Sequence, residues 1–226
     1  IEKEDNFGEE ELWSLSFGAP FDIARHDTTR SIRSIYKKRF HIDTLSKIWG
    51  VDNADDLKRK YDMYLDENIM KEYDSDFIEL RGYRNFEALK TVNRPILKKY
   101  GEGYCKNFYK VKDKIMKIIK EDYPKDYFDE VSFENVKTLI AWPYAKAGNA
   151  VKLAYNAEYI DEDTAWDMLD EIGERASKKY RDWHEYGIAS IYGRFLMHTQ
   201  DIDSWVGYIV DELWDYDETV WGEVDI

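Results

Sequence analysis

Apolar residues recur at three- and four-residue spacing along almost the whole chain, and two-residue alternation is nearly absent; this pattern alone restricts the fold to packed helices. Tyr104, Phe108, Val111, Ile115, Ile118 and Ile119 form one long stripe, with Lys106, Lys110, Lys114 and Lys117 mostly off it. Leu57, Tyr61 and Leu65 form a shorter face, led by Asp52 as the expected N-cap with Asp55 in a capping-box-like position. Phe86, Leu89 and Val92 form another, stopped before Pro95 because the residue preceding proline avoids the helical region. Residues 126–130 read as a turn, after which Ser132 caps a helix running through Val136 and Ile140. Ala147, Ala150, Val151 and Ala154 make a face of small residues that permits close helix approach. Asp161 caps a helix carrying Ala165, Trp166, Leu169, Ile172 and Ala176. A break near Tyr180–Asp182 precedes a helix with Trp183, Tyr186, Ile191 and Phe195, and Trp205, Ile209 and Leu213 suggest a last one. The best strand candidate is short, Asp76 to Leu80. With only 4 Pro and 12 Gly as punctuation and no Ser/Gly linker, the expectation is an all-α fold. It is a single compact multi-helix domain over 1–226, with at most one short β hairpin.

At 226 residues, 43% hydrophobic and 16% aromatic, the chain can bury a substantial core and is too apolar for disorder. No stretch approaches the roughly 18 uninterrupted apolar residues of a membrane span. Cys105 is the only cysteine, which excludes a disulfide within the chain and points to a reducing compartment, the cytoplasm. No secretory pattern opens the sequence; it starts at Ile1 rather than Met, which leaves open a removed leader, anchor or further domain.

The net charge of −14 is unevenly spread. Lys90 to Lys125 carries 11 basic and 4 acidic residues, whereas Glu158 to Ile226 carries 5 basic and 19 acidic. From Asp201 onward there are nine acids and no base. Such a field repels nucleic acid and attracts a basic partner. The same acids also serve plain solubility, and the lysine-rich stretch from Lys98 to Lys120 reads as a solvated face opposite a core stripe. Its aromatics Tyr100, Tyr104, Phe108 and Tyr109 follow the core side, which disfavours a nucleic-acid platform.

The run Ala141-Trp142-Pro143-Tyr144 through Tyr155-Asn156-Ala157-Glu158-Tyr159-Ile160-Asp161-Glu162-Asp163-Thr164-Ala165-Trp166 resembles the bacterial family called domain of unknown function 1266. Asp182-Trp183-His184-Glu185-Tyr186-Gly187 and Ile191-Tyr192-Gly193-Arg194 continue the resemblance, and Ile48-Trp49-Gly50-Val51 resembles that family's first half. The similarity runs from about Leu12 to His198, with signature regions at about 45–66 and 141–198. The chain departs from the family pattern at Pro143, where an Asp is usual, at Lys146 and Lys152, where Arg is usual, and at Glu158, where Gly is usual. Arg-to-Lys exchange alters any bidentate site. The resemblance implies a fold more than a function, since the family's name carries no activity.

No motif calls for a cofactor. Gly101-Glu102-Gly103 sets an acid between two glycines, which repels phosphate, and no Gly-x-Ser-x-Gly elbow exists. His26, His41, His184 and His198 form no i, i+4 pair, so no zinc site is expected. His198 with Asp201 and Asp203 is the best oxygen-rich cluster, and it lacks the glycine and terminal glutamate of a calcium loop. Cys105 beside Lys106 has no histidine tied to it by any local signature.

Two groups of residues remain. The tail mixes acids with indoles, as interfaces do; Asp203, Asp211, Glu212, Trp214, Asp215, Asp217, Glu218 and Trp221 are the candidate partner-binding residues. The favoured reading is a non-enzymatic protein-binding domain of immunity or antitoxin type, docking a basic partner such as a toxin through this acidic aromatic surface. The alternative is an enzyme with an unrecognised site around Trp142, Trp183, His184, Glu185 and Arg194. A third reading is a structural or regulatory domain of a larger polypeptide.

Overall fold

The helical pattern is realised as helices, with no strand, among the residues described by a computed structural model of the chain: 7–122, 131–198, 202–209 and 219–226, side chains excepted at 118–122, 131–132 and 202–203. In chain order they are α1 (Glu9–Ser16), α2 (Ala19–Ala24), α3 (Lys38–Thr44), α4 (Ala54–Leu65), α5 (Lys71–Arg81), α6 (Phe86–Val92), α7 (Arg94–Tyr100) and α8 (Glu102–Asp122). There follow α9 (Val131–Asn135), α10 (Ala141–Asn156), α11 (Glu162–Ala176), α12 (Trp183–Met197), α13 (Ile202–Gly207) and α14 (Val220–Glu223). A π-helical turn, Leu45–Trp49, prolongs α3 and ends at Gly50, whose φ of 63° is the left-handed conformation that glycine adopts without strain.

Helix α10 is the hub. It packs against α2, α3, α4, α11 and α12, and it is buried on nearly every side, as a helix surrounded by others must be. Its small residues allow this. Gly148 meets Gly18, where an added Cβ would come within 3.2 Å of the opposite backbone. Gly193 of α12 lies so close to Trp142 that a Cβ there would sit 2.5 Å from the tryptophan Cβ.

Four expectations shift in detail. The stretch Asp76 to Leu80 is part of α5: Asp76, Phe77 and Leu80 are buried at helical spacing, while Ile78 faces solvent. The cap of α4 is Asn53 rather than Asp52; its side chain accepts from the Asp56 amide at 3.0 Å, and Asp56 accepts from the Asp52 amide at 3.1 Å. The helix expected through Val136 and Ile140 stops at Asn135. Side chains of α5 capture that backbone instead: Arg81 donates to the Phe133 and Val136 carbonyls, and Asp74 accepts from the Leu139 amide at 2.6 Å. The second residue of the Trp205 stripe, Ile209, is reached by a π turn after α13, and Leu213 lies outside the described residues. The caps at Asp161 and Asp182 form as expected, accepting from the Thr164 amide at 2.9 Å and the Glu185 amide at 2.8 Å.

Candidate functional site

The tail residues do not assemble into a described surface. Asp211, Glu212, Trp214, Asp215, Asp217 and Glu218 lie outside the described residues, as does the side chain of Asp203. Trp221 is a correction: it is buried rather than presented to a partner. Its ring stacks on Trp183 at 5.2 Å and 8°, and its Nε1 donates to the Ser16 carbonyl at 2.8 Å. Although acids surround it in sequence, α14 packs against α1, and the apolar face of the short helix turns inward.

The candidate pocket of Trp142, Trp183, His184, Glu185 and Arg194 divides between the two ends of α12. Trp183 belongs to the stack with Trp221 and donates to the Val224 carbonyl at 2.6 Å. Glu185 accepts from the Arg181 amide at 2.9 Å and the Arg181 guanidinium at 2.6 Å, so it serves the helix start. His184 is buried, which pushes its imidazole down to about 3 and keeps it neutral. Arg194 stands about 15 Å further along the helix axis at a rise of 1.5 Å per residue. Only Trp142 and Arg194 meet, with the guanidinium 5.3 Å from the indole centroid.

A cleft of about 1320 Å³ opens elsewhere, between residues 28–35 and 155–162. It is larger than a typical small-ligand pocket. Its apolar parts are Phe7, Leu12, Ile35, Tyr155, Tyr159 and Ile160, and its rim carries Glu158, Asp161, Glu162 and Glu223 beside Arg30 and Arg33. The wall 28–35 has no regular structure, yet it is pinned from beneath. Asp27 accepts from the Ile35 amide at 3.1 Å and the Ser34 hydroxyl at 2.6 Å; Asn156 accepts from the Ser34 amide at 2.9 Å and donates to the Ile32 carbonyl at 2.8 Å. Below that wall, Lys152 of α10 donates to Asp22 at 3.0 Å and also to the Thr28 carbonyl. Both charges of the Asp22–Lys152 pair are buried. Burial raises the Asp22 carboxyl, opposed by the Lys152 and Arg25 charges. On the rim, Glu158 holds a left-handed φ of 59°, and its carboxylate pairs with Lys38. Arg30 pairs with Glu223, and Arg33 stands 3.9 Å from Glu162. These exposed pairs contribute little to stability and exchange readily.

The second lysine of α10 has a different setting. Lys146 lies 5.8 Å from the Trp49 ring, 5.0 Å from Tyr64 and 5.6 Å from Trp142. Burial, then the charges of Lys60 and Arg194, lower its affinity for a proton. Arg194 lies over both Trp142 and Trp205, at 5.3 and 4.8 Å. His198, exposed at the end of α12, meets Trp142 at 6.1 Å. This aromatic cage was missed in the sequence. A signal was present: Lys146 and Lys152 are the two charged residues of α10, and a helix surrounded by others must account for them.

Elsewhere, the lysine-rich helix α8 buries Phe108 and Tyr109 in the core, and Lys106 and Lys112 lie over Phe86 and Phe133 at 5.2 and 4.7 Å. Burial pushes the Cys105 thiol up to about 11, away from reactivity. No group of three or more metal-ligating side chains occurs among the described residues; Asp201, expected beside His198, lies outside them. No helix of the described residues is long and apolar enough to cross a membrane.

No curated protein and no solved structure matches the chain. The model of one family, described as protein of unknown function (DUF1266), matches residues 44–225. That span includes Lys60, Lys146, Arg194 and the 155–162 wall of the cleft, and leaves the 28–35 wall outside it. With most of its length matched, from the π turn after α3 to the end of α14, this chain belongs to the DUF1266 family.

Proposed function

We propose that this domain binds a protein and catalyses nothing, and that its cleft receives a basic segment of the partner, as an immunity or antitoxin protein would dock a toxin. The observation that carries the reading is the cleft, with Phe7, Leu12, Ile35 and tyrosines in its lining and with Glu158, Glu162 and Glu223 on its rim in exposed ion pairs. A basic segment can exchange into such pairs at little cost, and the apolar lining supplies contact area. Pinning of the 28–35 wall by Asp27, Asn156 and Lys152 reduces the ordering cost of binding. Glu158 supports the same reading, because a non-glycine residue in a left-handed conformation puts a carboxylate on the rim at some cost in strain. The acids of the tail would add to attraction at longer range. The single buried thiol of Cys105 fits a cytoplasmic setting. The enzymatic alternative has no observation in its favour, since Trp183, His184 and Glu185 lie at one end of α12 while Arg194, with Trp142 of α10 beside it, lies at the other.

A short fluorescent peptide alternating Arg and Tyr tests the cleft. Binding is expected to weaken as salt rises, and the double substitution Glu158→Lys with Glu162→Lys is expected to weaken it about tenfold or more. Absence of binding, or binding indifferent to both salt and the double substitution, would refute the reading.

A further inference from the structure

The 28–35 wall of the cleft runs on to Tyr36, which is held twice. Its hydroxyl donates to the Arg25 carbonyl at 2.6 Å, and its own carbonyl accepts from His41 Nε2 at 3.2 Å. A carbonyl only accepts, so Nε2 carries the proton and Nδ1 is the bare nitrogen of the neutral ring. His41 is 1% exposed, Phe40 stands edge-on to its imidazole at 5.5 Å, and Nδ1 meets no hydrogen-bond partner. Protonation turns that nitrogen into an N–H without an acceptor and leaves a cation in the core. The charges around the ring do not relieve this. Arg25, at the end of α2, and Lys152 of α10 oppose a further positive charge, while Asp27 favours one. Asp27 is already engaged by the Thr28 and Ile35 amides at 2.9 and 3.1 Å and by the Ser34 hydroxyl at 2.6 Å. Asp22 is engaged by Arg25 and Lys152. On α3 and the π turn, Lys38 pairs with Glu158, and Arg39 and Lys47 with Asp43. Burial comes first among the causes that lower the affinity of His41 for a proton, and the Tyr36 carbonyl and Asp27 offset it in part.

We propose that His41 is a proton-operated latch on the cleft: neutral, it holds the wall through the Tyr36 carbonyl, and protonated in mildly acid solution it releases that wall. The linkage has one sign. A released imidazole takes up a proton at the ordinary value of 6.5, and the held one only at lower pH. The held form therefore loses stability as pH falls below 6.5, and the loss is complete once pH has passed below the held value. As control of binding, the latch rests on the cleft reading; the movement of the wall does not, and it is measured with no partner present.

The test is amide hydrogen exchange of the intact chain at pH 7.5 and 5.5, with each rate divided by the intrinsic rate at the same pH. The Ser34 and Ile35 amides, which donate to Asn156 and Asp27, report on the wall, and the Leu169 and Ile172 amides of α11 report on the rest of the fold. Protection of the two wall amides is expected to fall about threefold or more, with about tenfold as the ceiling set by a value of 6.5 for the released ring, while α11 stays protected. His41→Gln keeps a donor for the Tyr36 carbonyl and has nothing to titrate, so it is expected to abolish the fall. His26→Asn removes the exposed imidazole of the same segment and retains a residue suited to its left-handed φ of 55°; the fall is expected to persist. Should His41→Gln fail to fold, the ring resonances of His41 in the wild-type chain decide, because their titration must coincide with the loss of protection. Unchanged protection at pH 5.5 overturns the proposal, as does an equal loss in α11. A loss that survives in His41→Gln assigns the response to the Asp22 and Asp27 carboxyls and overturns it too, as does a His41 ring still neutral when protection is gone.

Discussion

The two lysines of α10 lie fewer than two turns apart on one helix, and their surroundings are opposite. Lys152 points to a buried carboxylate, Asp22, at 3.0 Å and fixes the 28–35 wall through the Thr28 carbonyl. Lys146 faces Trp49, Tyr64 and Trp142 without a carboxylate. The difference is one of compensation. A charge whose partner is built into the chain holds the structure together. A charge left to aromatic rings carries a desolvation cost that no carboxylate among the described residues offsets.

Substitution at the paired lysine has the largest expected effect. Lys152→Met leaves the buried Asp22 carboxylate with Arg25 as its one cation among the described residues, and breaking a buried pair from one side costs about 3–5 kcal/mol, with Arg25 holding the loss toward the lower figure. Urea unfolding followed by circular dichroism measures this, and a loss under 1 kcal/mol would show that water already reaches the pair. Next comes a change that disturbs the cage without touching a charge. Gly193→Ala drives a methyl group into the Trp142 Cβ and the Leu139 carbonyl, and overpacking of that kind costs about 1–3 kcal/mol. An unchanged midpoint would mean that α10 and α12 can separate freely.

The smallest effect sharpens the contrast most, because its sign is reversed and depends on pH. The folded-state affinity of Lys146 for a proton is below that of the unfolded chain, owing first to burial and then to Lys60 and Arg194. The unfolded chain therefore binds more protons through that window, and the penalty of holding Lys146 charged is full at pH values below its folded pKa. It is relieved as pH rises from there toward 10.5, the unfolded value. Lys146→Met is expected to be more stable than wild type at neutral pH, and that advantage is expected to shrink as pH climbs. Paired unfolding curves from pH 7 to 10 check it; an advantage constant in pH would assign the effect to packing alone.

Much of the helical framework was legible in the residues because its causes are local. The caps at Asp161 and Asp182 act on amides three positions away, and the stripe on α11 needs no distant partner to be recognised. What was not legible depends on distance along the chain. Asp22 and Lys152 are 130 positions apart, and nothing near either names the other. Trp221 reads as exposed from its acidic neighbours, yet its burial depends on α1 and on Trp183. His184 and Glu185 look like a catalytic pair in sequence because a helix start and a reactive dyad use the same residue types. Only the Arg181 contacts distinguish the two.

The hydrogen bond from Trp221 to the Ser16 carbonyl closes a span of 205 positions. A ribosome delivers the two ends of that span far apart in time. During synthesis the first helix leaves the exit tunnel long before its indole partner exists, and the aromatic pile under Trp183 stays unroofed until Trp221 has been made. The contact between α1 and α14 is therefore made only after the codon for Trp221 has been read. A truncation that removes α14 should leave a nascent chain that has made most of its helices and still lacks the contact that locks them.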